Sequence, residues 1–184
     1  GAAHQAMNNA AGTWGQVGGN FQFTGGGTSG AGTGACGGGT DGANTVGWDA
    51  QSGSVLAVTC SWFSNQGNPF KPAVEFDMEF DPDWNWTTGS PTSVDLESVA
   101  LHEFGHARGL NHSSSGGAVM FASYSSGTEN RTPSADDVEG QRLGRQVRRR
   151  RDGHGAGRTL RESRRQLEHL VPAQRAAHRR MQAR

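Results

Sequence analysis

The chain has 184 residues with 17 basic and 17 acidic side chains, a length at which one domain with a sizeable core is expected to fold without help from metal or disulfide. Its formal charge of zero hides two materials, because residues 1–140 hold 3 basic and 14 acidic side chains whereas residues 141–184 hold 14 and 3. No apolar run approaches the roughly 20 residues that cross a bilayer, which excludes a membrane-spanning protein.

The opening GAAHQAMNNA has neither a basic n-region nor an apolar h-region, so any signal peptide has been removed or was never included. From Ala2 to Trp14, Met7, Ala10, Ala11 and Trp14 recur at helical spacing and predict a short amphipathic helix. Phe21 and Phe23 alternate with polar neighbours and predict a strand, after which Gly25 to Gly39 is a glycine-rich loop with few apolar anchors. No Gly-Lys-Ser/Thr ending follows these glycines, so nucleotide binding is not expected. Cys36 and Cys60 are the two cysteines. Neither has zinc-ligand spacing, and in a Gly/Ser/Thr/Asn-rich chain they are expected to form one disulfide.

Asn44–Trp48 and Ser54–Phe63 are rich in Val, Thr and aromatics and predict two strands. Val74–Phe80 predicts a third, half buried, with Val74, Phe76, Met78 and Phe80 alternating against Glu75, Asp77 and Glu79. Pro82 and the polar run Thr87–Ser93 end this pattern before a helix that Ser93 or Asp95 can cap. A last helix is expected from about Thr132–Ser134 to about Leu143, where Ser134 and Asp137 have the spacing of a capping box. Beyond Leu143 the chain is lysine-free and rich in Arg, Gln, Ala and Gly, a low-complexity basic tail that a GC-rich gene read out of frame would also give.

The chemistry lies in HEFGHARGLNH, residues 102–112. His102 and His106 are one helical turn apart, so both imidazoles can converge on one ion. Leu96, Ala100, Phe104 and Ala107 fall on roughly the opposite side and can face a core. Gly109 suits a left-handed exit from the helix, which brings His112 back as a third ligand. Three neutral imidazoles leave a fourth zinc position open, the arrangement of catalytic zinc. Glu103 lies beside the histidine pair and is the natural general base. A chance match to these five fixed positions is on the order of 10⁻⁴ for a chain of this composition.

The run HEFGHARGLNHSSSGGAVM resembles the metzincins and, within them, the matrixins. Ser113 and Met120 have the matrixin spacing to a Met-turn, which underlies zinc without binding it. Tyr124 is similar to the tyrosine that lines the pocket for the substrate side chain after the scissile bond. Asp136 and Asp137 resemble the paired aspartates of the last helix, the second of which ties to the Met-turn backbone. SVLAVT resembles the edge strand that pairs with extended substrate, with Leu56 and Ala57 at its centre.

The resemblance implies an α+β fold: a metzincin-like catalytic domain with a twisted mixed β-sheet, active-site helix, Met-turn and C-terminal helix, over residues 1–143 and lacking the first strand. Residues 144–184 are expected to be a disordered Arg-rich tail. It further implies a secreted, extracellular, monomeric zinc endopeptidase acting on protein or peptide substrates, without nucleic acid or membrane. Ala122 departs from the pattern, standing where a proline is expected, and Arg108 occupies a position that is usually apolar. With no histidine between His4 and His102, a second, structural zinc cannot be carried over. Calcium has no assigned ligands, although Asp41, Asp77, Asp81 and Asp83 offer oxygen donors. Two alternatives stay open: an inactive zinc-binding fragment, separable by zymography, and a polyanion-binding protein acting through Arg148–Arg151, separable by heparin retention.

Overall fold

The computed structural model describes residues 1–17, 21–33, 36, 38–64, 73–151 and 179–183. Helix α1 (Ala2–Gln16) buries Ala6, Ala10 and Trp14, one residue every turn, while Met7 and Ala11 are partly covered at the edge of that stripe. Gly12 does not break it, because it lies on open surface where nothing competes for its space. The Trp14 indole fixes α1 across the active-site helix α2 (Leu96–Ala107) by donating to the Leu101 carbonyl at 2.7 Å. A buried N–H thereby finds the acceptor that it requires.

The main sheet contains β1 (Thr45–Trp48), β2 (Val55–Phe63), β3 (Ala73–Phe80), β6 (Ser123–Tyr124) and β7 (Arg179–Ala183), in the order β1-β3-β2-β7-β6. It is mixed: β1 runs parallel to β3, β2 antiparallel to β3 and β7, and β6 parallel to β7. With the helices on it, the chain has the expected α+β fold. Two further strands, β4 (Trp86–Thr87) and β5 (Val94–Asp95), pair in a small parallel sheet just before α2. Val55, Leu56, Ala57, Val58, Met78 and Phe80 form the sheet's part of the core.

Three expectations change. Phe21 and Phe23 form no strand. Their rings meet edge to face at 4.9 Å, and Phe23 packs on Phe104 of α2 at 4.7 Å while Phe21 stays exposed, so Phe23 is covered by α2 rather than by a ladder. Strand β3 is buried on both faces rather than half buried: Met78 and Phe80 lie in the core, Glu75, Asp77 and Glu79 are buried as well, and Val74 alone of the alternating apolar positions is exposed, at 56%. Those carboxylates anchor the segment that crosses them. Glu75 accepts from the Asp41 and Gly42 amides (3.0 and 2.7 Å), Asp77 from the Thr45 amide and hydroxyl (2.8 and 2.7 Å), and Glu79 from Thr33 Oγ1 and the Cys36 amide (3.1 and 3.3 Å). Thr33 and Cys36 of the glycine-rich loop, and Asp41, Gly42 and Thr45 after it, are thus anchored on charged acceptors, the stronger class of hydrogen bond.

The third change is at the end of the chain, where helix α3 (Ala135–Arg151) continues past Leu143 and Arg179–Ala183 forms β7. The rest of the expected tail, 152–178 and 184, lies outside the described residues. Cys36 and Cys60 are joined, with Cα atoms 5.4 Å apart and a sequence separation of 24. A closed loop of this size is worth about 3 kcal/mol in the chain-entropy account.

Candidate metal centre

Helix α2 begins where the sequence allows: the Asp95 side chain accepts from the Ser98 amide at 3.0 Å and from its hydroxyl at 2.6 Å. It ends in a left-handed turn, with Gly109 at φ 90° and its amide donating to the His106 carbonyl at 2.8 Å. The Leu110 amide donates to the Gly105 carbonyl at 3.0 Å, so the last carbonyls are satisfied as the chain reverses toward His112. Arg108, at the end of the helix, donates to the Trp14 carbonyl, and its guanidinium lies over the Phe21 ring at 4.7 Å from the centroid. Its charge is therefore used where the family pattern has an apolar contact.

The helical spacing and the reversal bring one ring nitrogen each of His102, His106 and His112 within 4.8 Å of one another, and among the described residues this is the group of His, Cys, Asp or Glu side chains compact enough to share an ion. His106 Nε2 and His112 Nε2 are 3.2 Å apart. Two nitrogens at about 2.0–2.1 Å from one tetrahedral zinc would be separated by about 3.4 Å. The tautomers also fit. His102 Nδ1 is 2.7 Å from the Val119 carbonyl and His106 Nδ1 is 2.8 Å from the Leu110 carbonyl. A carbonyl only accepts, so Nδ1 carries the proton in each ring and Nε2 presents its lone pair.

Two buried polar atoms beside this triad have no hydrogen-bond partner, His102 Nε2 and Glu103 Oε1. Such orphans are costly unless a ligand absent from the protein alone satisfies them, and a dication with its water suits both. Burial pushes the His102 ring down to about 3, against the opposing hydrogen bond to Val119, so it is neutral and free to ligate. Burial pushes the Glu103 carboxyl up to about 8, against the Thr59 hydrogen bond. A nearby dication pulls such a group back toward the carboxylate.

Met120 is buried against α2 at Gly105, and its position explains that glycine. A Cβ on Gly105 would collide with Met120 Sδ and stand 3.0 Å from Trp14 Cζ2, so only glycine lets both side chains reach the helix here. The Met-turn is held by Asp137, whose carboxylate accepts from the Val119 and Met120 amides at 2.9 and 3.0 Å. The same carboxylate closes the capping box with Ser134, at 2.7 Å from both its amide and its hydroxyl. Asp136 accepts from Ser113 Oγ at 2.6 Å, and the Ser113 amide donates to the Met120 carbonyl at 2.8 Å. Third ligand, Met-turn and α3 are therefore one connected unit.

Tyr124 is buried; its hydroxyl accepts from the Asp95 amide at 3.0 Å and donates to the Thr128 carbonyl. Leu56 and Ala57 are buried in β2, with Ala57 opposite Met181 of β7. The four aspartates considered for calcium do not gather into a comparable group among the described residues. Sequence reasoning missed Thr59, whose hydroxyl donates to Glu103 Oε2 at 2.5 Å. It shares a strand face with Ala57, two residues away, so period-two alternation could have found it.

Residues 61–143 match the family model described as Matrixin. Human Matrilysin is 42% identical over 65 residues, which are 35% of this chain and 24% of that protein. Matrix metalloproteinase-27 of Tupaia belangeri is 43% identical over 77 residues, 40% of this chain and 15% of the relative. Metalloendoproteinase 5-MMP of Arabidopsis thaliana is 42% identical over 71 residues, 34% and 20% respectively. The chain thus spans about a quarter or less of the length of these relatives. His102, Glu103, His106, His112, Met120 and Asp137 all fall inside the matched segment, so in this site and in its α+β fold the chain is similar to the matrixins.

Proposed function

We propose that the chain is a zinc-dependent endopeptidase. The observation that carries this reading is the pairing of a convergent three-imidazole set with two orphaned buried atoms, His102 Nε2 and Glu103 Oε1. His102, His106 and His112 would hold the ion, and zinc bound there supplies Lewis-acid polarisation of the scissile carbonyl and a more acidic attacking water.

The chain's own residues do the rest. An extended peptide lies along the outer edge of β2 near Leu56 and Ala57, held by main-chain hydrogen bonds that are largely indifferent to sequence. Tyr124 borders the pocket for the side chain that follows the scissile bond. Glu103 accepts a proton from the attacking water through Oε1 while Thr59 holds Oε2. As the water oxygen bonds to the carbonyl carbon and the C–N bond breaks, Glu103 passes that proton to the leaving nitrogen. Met120, Asp137 and the Cys36–Cys60 disulfide serve structure rather than chemistry.

Residues 1–143 form the catalytic unit in this reading. The disulfide supports a secreted, extracellular enzyme, which in this reading works as a monomer on proteins or peptides. The test is cleavage of an unstructured protein such as casein by the zinc-loaded full chain. Activity that disappears with a chelator and in Glu103→Gln supports the reading, whereas a zinc-loaded chain that leaves casein intact would make it an inactive zinc-binding protein.

A further inference from the structure

The outer edge of β2, where the proposed function puts a peptide substrate, carries a segment of the chain itself. Strand β7 pairs antiparallel with β2 through Val55↔Gln182, Ala57↔Met181, Val58↔Arg180 and Thr59↔Arg179. On its other side it pairs parallel with β6 through Ser123↔Gln182 and Tyr124↔Ala183, and the Gln182 amide donates to the Ala122 carbonyl at 3.1 Å. Arg179–Ala183 therefore bridges the edge strand and the segment leaving the Met-turn, an extended five-residue insert with a hydrogen-bonded neighbour on each side. Its course passes the catalytic groups, since Thr59, opposite Arg179, holds Glu103 Oε2 at 2.5 Å.

One side chain of the insert is anchored. Met181 is 3% exposed and belongs to the same core cluster as Ala57, Leu101, Met120 and Tyr124. Gln182 is exposed, so these two neighbouring side chains point in opposite directions, as they do in a peptide laid on a sheet edge.

We propose that Arg179–Ala183 is an intramolecular occupant of the substrate slot, an autoinhibitory strand that any incoming peptide must displace. The inference rests on the reading of this edge as the substrate site. Main-chain pairing supplies its hold on β2 and β6, and Met181 supplies the apolar anchor. Because the segment belongs to the same chain, its occupancy does not fall on dilution.

Two full-length variants test it. Met181→Asp removes the anchor, and Gln182→Pro removes the amide that donates to Ala122 without placing a charge in the core. The first measurement is independent of catalysis: fluorescence anisotropy of a labelled peptide of sequence Arg-Arg-Met-Gln-Ala added to zinc-free protein. Both variants are expected to bind it at least about tenfold more tightly than the parent chain, and equal binding by all three would overturn the proposal. The second is hydrolysis of a quenched-fluorescent peptide by the zinc-loaded proteins. KM is expected to fall at least about fivefold in both variants with kcat unchanged, and unchanged KM in variants that cleave the peptide would also overturn it. If no form cleaves any peptide while the anisotropy difference is present, the protease reading fails and the occupancy stands.

Discussion

Glu103 and His102 are neighbours and equally buried, yet the roles assigned to them separate in experiment. Glu103→Gln keeps the shape and removes the proton acceptor, so zinc content should be unchanged while turnover falls by about 10²–10⁴-fold, the usual contribution of a positioned general base. His102→Ala should lower zinc content and activity together, because the ligand itself is lost. A Glu103→Gln protein that kept more than about a tenth of parental turnover would remove Glu103 from the mechanism. Asp137 gives a prediction of a different kind, since its carboxylate accepts four hydrogen bonds from Val119, Met120 and Ser134. Asp137→Ala strands buried amides of the Met-turn, each at about 1–3 kcal/mol, so a loss on the order of 3 kcal/mol is expected in urea unfolding. A loss below about 1 kcal/mol would mean that Met120 is held by packing rather than by this carboxylate.

At the scale of elements, α2 depends on one charged cap. Burial pushes the Asp95 carboxyl up, but hydrogen bonds from Arg131 and Ser98 outweigh it and hold the group below 3.8. Arg131 grips it at two points, 2.9 Å from Nε and 2.6 Å from a terminal nitrogen. A depressed carboxyl stabilises the fold fully above its unfolded value of 3.8 and loses that contribution as pH falls through the lower folded value. Asp95→Asn resembles the protonated state, so it should cost about 2 kcal/mol near neutral pH. The difference from the parent should then narrow below 3.8, and urea midpoints that differed equally at about pH 5 and about pH 2 would contradict this. Which elements were legible follows from the same physics. Helices α1 and α2 carry a period of 3.6, β3 a period of 2, and β1 and β2 a composition rich in Val, Thr and aromatics, so these could be read directly. Strands β4, β5 and β6 have two residues each, too few to show a period. Strand β7, RRMQA, has no β-branched or aromatic residue, and pairing with waiting edges overrides its local preference.

For the molecule as a whole, the candidate metal ligands were legible because the chemistry fixes residue type and spacing within eleven residues, His102 to His112. The supports were less so. Thr59, Trp14 and the acidic face of β3 act across 44, 87 and up to 46 residues of sequence, distances at which no local pattern reports a contact. The tie of Asp137 to the Met-turn was reached only through resemblance, whereas its spacing to Ser134 had shown the capping box, and its hydrogen bonds to Val119 and Met120 give that resemblance a physical cause. Everything proposed about catalysis depends on one claim, that His102, His106 and His112 hold a single zinc. Elemental analysis of the folded full chain after dialysis against zinc-free buffer tests it most directly. The account predicts about one zinc per chain in the parent and close to none in His106→Ala, as expected for a three-nitrogen site that loses one ligand. A parent chain without zinc, or a His106→Ala chain that retains it, would contradict the metal centre.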